Sequence, residues 1–152
     1  MSTADENVDQ IVQEIQIDAP IKRVWALVKE PGWWIGDGDR SAQVITREGD
    51  LVVVDDPRYG RYPLLPVSSE APHHAAYRST AVEGQPPGDG TSTLVEFFLT
   101  ETAGGTLLRV IESGFASLAI PTESRAAAVE ENTEGWRMQL GFAKRDATRV
   151  RA

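Results

Sequence analysis

The chain has 152 residues, enough for one ordinary domain, and no cysteine, which excludes disulfides, thiolate nucleophiles and cysteine-ligated zinc or iron–sulfur sites. Its 23 acidic and 15 basic residues give a formal net charge of −8, a field that repels a phosphate backbone and argues against a nucleic-acid partner. No segment approaches the roughly 18–20 apolar residues of a membrane-crossing helix and no basic-then-apolar leader opens the chain, so no membrane span is expected and the cytoplasm is the expected location.

Residues 1–7 are polar and unpatterned and are expected to form a disordered tail, with a single domain over 8–150. From Val8 to Ile17 polar and apolar residues alternate, with Ile11, Ile15 and Ile17 sharing a face with Gln13. That alternation predicts a strand. Asp18 precedes Ala19-Pro20 and is placed to accept from the open amides of a helix start. Ile21, Val24, Trp25 and Val28 then follow at helical spacing, predicting a short amphipathic helix to about Lys29 that Pro31-Gly32 ends. Trp33-Trp34-Ile35 is expected as a second short helical piece, a hydrophobic lid or plug, before the glycine turn at Gly36 and Gly38.

Six further strands are predicted. Gln43 to Arg47 and Leu51 to Asp55 form a hairpin through Glu48-Gly49-Asp50. Tyr59 to Val67 contains Pro63 and Pro66 and is expected at an edge or interrupted, because proline cannot donate to a ladder. His74 to Val82 follows, then a loop around Pro86-Pro87-Gly88. Thr93 to Glu101 and Thr106 to Phe115 flank Ala103-Gly104-Gly105, the clearest hairpin in the chain. From Thr122, the expected N-cap, to about Val150 there is no proline. Val129, Trp136, Leu140, Ala143 and Ala147 recur on one stripe, predicting a single long helix. Gly135 interrupts it, at a cost of about 1 kcal/mol relative to alanine, which suggests close backbone approach or a bend beside Trp136. A lone long helix must bury its stripe, and the concave face of an antiparallel meander is the surface available. The expected fold is α+β: a curved antiparallel sheet wrapped around a long C-terminal helix, with two short helices after the first strand and space between sheet and helix.

Particular residues carry a family resemblance over roughly Val8 to Lys144. They are Ile17-Asp18-Ala19-Pro20 with Val24-Trp25, the Trp33-Trp34 piece, Gly104-Gly105-Thr106 leading to Glu112-Ser113-Gly114-Phe115, and Glu131-Asn132-Thr133-Glu134-Gly135-Trp136. In these the chain resembles the START-like, or SRPBCC, superfamily, and within it the bacterial homologues of the activator of Hsp90 ATPase. The resemblance implies a helix-grip fold with a hydrophobic cavity, and a range of roles from lipid carriage and polyketide cyclisation to co-chaperone action. Ala143 and Ala147 stand where similar proteins tend to carry leucines, which implies a wider cavity mouth or a frayed helix end.

With Val95, Phe97 and Leu99 facing inward, hairpin pairing places Leu108, Val110 and Glu112 inward too. Glu112 is therefore the candidate acid: a carboxylate in an apolar cavity, able to hold a polar ligand tip or move a proton, or else paired with an arginine such as Arg78. Trp25, Trp33, Trp34, Tyr77, Val95, Phe97, Leu99, Val110, Trp136 and Leu140 complete the candidate ligand-binding set, with Arg78 as a further polar group. His73 and His74 point to opposite faces of a strand, so no shared metal ion is expected. Ser113 and Ser117 have no evident base. Asp55-Asp56 and Glu130-Glu131 belong to a turn and a solvated helix face. No cofactor is implied.

The function expected is binding or transport of a small hydrophobic molecule, without catalysis. The alternatives are a cyclase- or aromatase-like enzyme using Glu112 in the same cavity and a co-chaperone-like module with a protein partner. The last would use an outer apolar face at Leu94, Phe98, Leu107 and Ile111, which equally suits a homodimer.

Overall fold

Strand-forming alternation and one long amphipathic stripe dominate the chain, and the computed structural model, which describes residues 9–82 and 85–149, arranges them accordingly. The tail expected over residues 1–7 lies outside the described residues. The elements are β1 (Gln10–Ile17), α1 (Ile21–Val28), β2 (Val44–Glu48), β3 (Leu51–Asp56), β4 (Gly60–Glu70), β5 (His74–Thr80), β6 (Ser92–Thr102), β7 (Gly105–Ser113), a 3-10 turn at Phe115–Ser117 and α2 (Thr122–Thr148). The strands form one seven-stranded antiparallel sheet in the order β1-β7-β6-β5-β4-β3-β2. Strands β2 to β7 are thus a meander, and β1 closes on its far side against β7. The architecture is the α+β helix-grip fold.

Register follows the hydrophobic pattern. Val95 stands opposite Glu112, Phe97 opposite Val110 and Leu99 opposite Leu108, and all six are buried. The β1–β7 junction depends on a glycine. Gly105 has φ +140°, and a Cβ there would collide with the Ile17 carbonyl oxygen. Beside it the Thr106 hydroxyl donates to the Ala19 carbonyl at 2.8 Å, fixing the exit of β1.

The structure corrects several local expectations. Strand β4 is internal, between β3 and β5. A shift of register between Pro66 and Ser68 falls at its second proline, so the strand is interrupted but not at an edge. Pro31 to Trp34 is a run of turns instead of a second short helix, held by the Trp33 amide on Glu30 and the Ile35 amide on Gly32. Neither Asp18 nor Thr122 caps a helix: Pro20 and Pro121 occupy the N-cap positions without side-chain caps. Ala143 and Ala147 are buried and α2 remains helical to Thr148. Their small side chains therefore serve close packing, not a wider mouth or a frayed end.

Helix placement sets up the site. α1 lies against β6, β7 and α2, while α2 packs chiefly on β1. On the inward side of β3 to β5, Val54, Leu64, Ala75 and Tyr77 are buried, with Trp34 of the intervening turns packed on Tyr77.

Candidate functional site

A cleft of about 1030 Å³ opens between α2 and the ends of β4 and β5. Its helical wall is Ala128, Glu131, Asn132, Gly135, Trp136 and Gln139, the spacing of one continuous helix face. Trp34, Tyr62, Ser79, Val95 and Glu112 form the opposite side, and Tyr59, Arg61 and Gln85 stand at an exposed rim. A Cβ at Gly135 would meet nothing within 4 Å. The close backbone approach expected there is absent; Gly135 faces open space.

Glu112 lies deep in the cleft, only 5% exposed. Its Oε1 accepts from the Trp136 indole Nε1–H at 2.8 Å, and its Oε2 accepts from the Thr93 hydroxyl at 2.6 Å. The Asn132 amide donates between the two oxygens at 3.1 and 3.3 Å. Thr93 reaches it because residues two apart on β6 share a face and Val95 stands opposite Glu112. Asn132 and Trp136 reach it from adjacent turns of α2. The indole and the amide offer Glu112 only N–H groups, while the Thr93 hydroxyl can donate or accept. Among the described residues no cation pairs with it, and Arg78, the expected partner, faces the other side of the sheet from its neighbour Tyr77.

Of the candidate set, Trp34, Val95, Glu112 and Trp136 line the cleft. Trp33, Phe97, Leu99, Val110 and Leu140 are buried core instead. Phe97 sits among three indoles, with ring centroids 5.2 Å from Trp33, 5.1 Å from Trp34 and 5.8 Å from Trp136. These rings plug the space directly under α2, so the opening is displaced toward β3–β5. Trp25 is half-buried on α1 and does not line the cleft. Tyr77 packs on Trp34 at 5.5 Å, and its hydroxyl turns to the Lys29 carbonyl, 3.5 Å away. Burial, with Glu30 nearby, raises the Tyr77 phenol above its ordinary pKa. Burial likewise raises that of Tyr62, which donates to the Tyr59 carbonyl at 2.8 Å. Neither histidine lines the cleft: His73 Nδ1 lies 3.2 Å from the Leu99 carbonyl, and His74 Nε2 lies 3.1 Å from Glu96 on the outer face. Leu94, Phe98, Leu107 and Ile111 are half-buried on that outer face.

The residues that sequence reasoning missed are Asn132 and Thr93 as partners of Glu112, and Tyr62, Gly135 and Gln139 as lining. The second stripe on α2 was available as a signal, since its residues recur three and four apart. It is polar, and an apolar search passes over it.

One end of the cleft is shaped by a buried acid. Asp56 accepts from the Gln43 amide at 3.0 Å and from the backbone amides of Arg58 and Tyr59 at 2.8 and 3.2 Å, while Gln43 also donates to the Ile35 carbonyl at 2.9 Å. Gln139 of α2 closes the same corner by donating to the Gly36 carbonyl at 2.7 Å. The Gln43 bond first, then the Arg58 amide, hold the Asp56 carboxyl below its ordinary pKa of 3.8. A depressed pKa contributes stability that is complete above the unfolded value and is lost as pH falls through the folded value. Melting curves below about pH 4 are therefore expected to fall less steeply for Asp56→Asn than for the unsubstituted protein; parallel curves would contradict this.

Neither a protein-family model nor a curated protein matches the chain. Solved structures do. Protein MLL2253 from Mesorhizobium loti is similar at 20% identity and a TM-score of 0.70, over 94% of this chain and 99% of that one. Protein BH1534 from Bacillus halodurans is similar at 21% identity and a TM-score of 0.65, over 92% and 97%. DynU16, a protein of the dynemicin biosynthetic locus, is similar at 20% identity and a TM-score of 0.66, over 91% of this chain and 46% of DynU16. At these identities the likeness establishes a shared helix-grip fold.

Proposed function

We propose that this protein binds a small, largely apolar, ring-bearing molecule in the cleft beside α2. The observation that carries the reading is the buried Glu112 carboxylate, fixed by Thr93, Asn132 and Trp136 and facing the cleft. Recognition sites for small molecules combine apolar walls with a few oriented polar groups. Here Trp34 and Trp136 supply ring surface, Ala128 supplies aliphatic surface, and Glu112 supplies the oriented group. Gly135 supports the same reading. A helix-interior glycine costs about 1 kcal/mol against alanine, and no atom of the described residues needs the space it leaves. A guest would.

The cyclase-like alternative requires a second titratable group close enough to Glu112 to exchange a proton. The groups hydrogen-bonded to Glu112 among the described residues are a threonine, an asparagine and a tryptophan, which favours holding over turnover. The fold shared with a protein of a biosynthetic locus keeps a carrier role beside such chemistry in view. The resemblance to activator-of-Hsp90-ATPase homologues would instead place a protein partner on the outer face, where the apolar side chains are already half-buried.

Thermal-shift screening with neutral aromatic and polycyclic compounds tests the reading. A compound at 100 times its dissociation constant is expected to add about 2.7 kcal/mol of stability. A panel without any shift, together with binding of a protein partner, would overturn it. Gly135→Ala separates ligand space from packing. The substitution is expected to stabilise the free protein by about 1 kcal/mol while weakening binding of any compound found. Unchanged affinity would remove Gly135 from the site.

A further inference from the structure

The charge distribution within the cleft goes further and specifies the ligand's chemistry; this step rests on the cleft-binding reading above. A carboxylate offers about four lone-pair sites. At Glu112 three donors occupy them: the Trp136 indole at 2.8 Å, the Thr93 hydroxyl at 2.6 Å and the Asn132 amide at 3.1 Å. The Asn132 amide also reaches Oε2, at 3.3 Å, so a guest's donor would take the place of Asn132, the half-buried one of the three. The second acid of the lining, Glu131, stands exposed at the rim. Among the described residues the one cation of the lining, Arg61, is already engaged by both oxygens of Glu48, at 2.9 and 2.6 Å. The remaining ionisable groups there, Tyr59 and Tyr62, carry no positive charge in either protonation state. When ionised, Glu112 gives the interior negative charge without a free counter-cation among the described residues, next to the indoles of Trp34 and Trp136, rings of the kind that attract cations. A ligand carboxylate would meet like charge in a partly desolvated space, where screening is weak.

We infer that the cleft is selective for amine-bearing ring compounds in their cationic form, with the ammonium donating to Glu112 and the ring against Trp34 and Trp136, and that it discriminates against carboxylates such as fatty acids.

Three probes of matched shape test this: 2-naphthylmethylammonium, 2-naphthalenemethanol and 2-naphthoate. Binding is measured by calorimetry, and the site is reported by the Trp136 indole N–H resonance, identified by its loss in Trp136→Phe. Titrations run at about 0.5 M salt, where charges more than several ångströms apart are screened, so that the overall acidity of the chain does not supply the preference. The ammonium is expected to bind at least about tenfold more tightly than the naphthoate, with the alcohol between them. In Glu112→Gln the ammonium and the alcohol are expected to converge to within about threefold. The order in the unsubstituted protein stands as a test even if that variant folds poorly. If naphthoate binds as tightly as the ammonium and shifts the Trp136 resonance, the charge selection is wrong and the cleft reading survives. If none of the three shifts that resonance at millimolar concentration, the cleft reading falls and the selection with it.

Discussion

Phe97→Ala is expected to cost about 3–5 kcal/mol of folding stability, the range for removing a fully buried aromatic ring. Phe97 has no exposed surface and is surrounded by the rings of Trp33, Trp34 and Trp136 at centroid distances between 5.1 and 5.8 Å. Ring pairs of this kind add roughly 0.5–1.5 kcal/mol beyond burial alone, and three indoles do not collapse easily into the vacated volume. The effect extends to the cleft. Trp34 and Trp136 present one side to Phe97 and another to the cleft, so loss of the ring loosens both walls. Urea unfolding gives the stability change. A loss under 1 kcal/mol would mean that the plug under α2 is not the packed core described here.

Glu112→Ala is expected to destabilise by about 2–3 kcal/mol, mainly by leaving buried donors without an acceptor. The Trp136 indole and the Thr93 hydroxyl are the groups orphaned; Asn132 is half-buried and water can reach it. Glu112→Gln keeps one carbonyl oxygen and is expected to cost less. Ligand binding should respond differently, with alanine abolishing it and glutamine retaining the contacts of neutral compounds. A Glu112→Ala protein as stable as the parent would show that the carboxylate's own desolvation cost matches what its three donors return. The bond network would then be there for recognition, not for stability.

How far the sequence reveals this molecule depends on the length scale of each cue. Alternation in β6 and β7, together with the turn at Gly104-Gly105, fixes the register that sends Glu112 inward, and that register is observed. The stripe of Trp136, Leu140, Ala143 and Ala147 correctly marks the buried face of α2. Cues of longer range fail. Nothing in β1 specifies β7 as its neighbour, and that pairing brings α2 over β1 and away from β3–β5. For this reason Trp33, Phe97, Leu99, Val110 and Leu140 became core while Tyr62, Asn132 and Gln139 came to line the opening. Helix starts were misread for a simpler reason. A capping side chain is a matter of rotamer as well as residue type, and both helices begin directly after a proline. Strand β4 carries two prolines inside the sheet, the second of them at a register shift against β5.

The central claim is that a guest occupies the space between α2 and the ends of β4 and β5. A crystal structure of the protein with the tightest-binding compound from the thermal screen tests it most directly. The expected result is the compound's ring against Trp34 and Trp136, its polar end within hydrogen-bond distance of Glu112, and its body against Gly135. Density on the outer face at Leu94, Phe98 and Ile111, with the cleft holding only water, would contradict the claim.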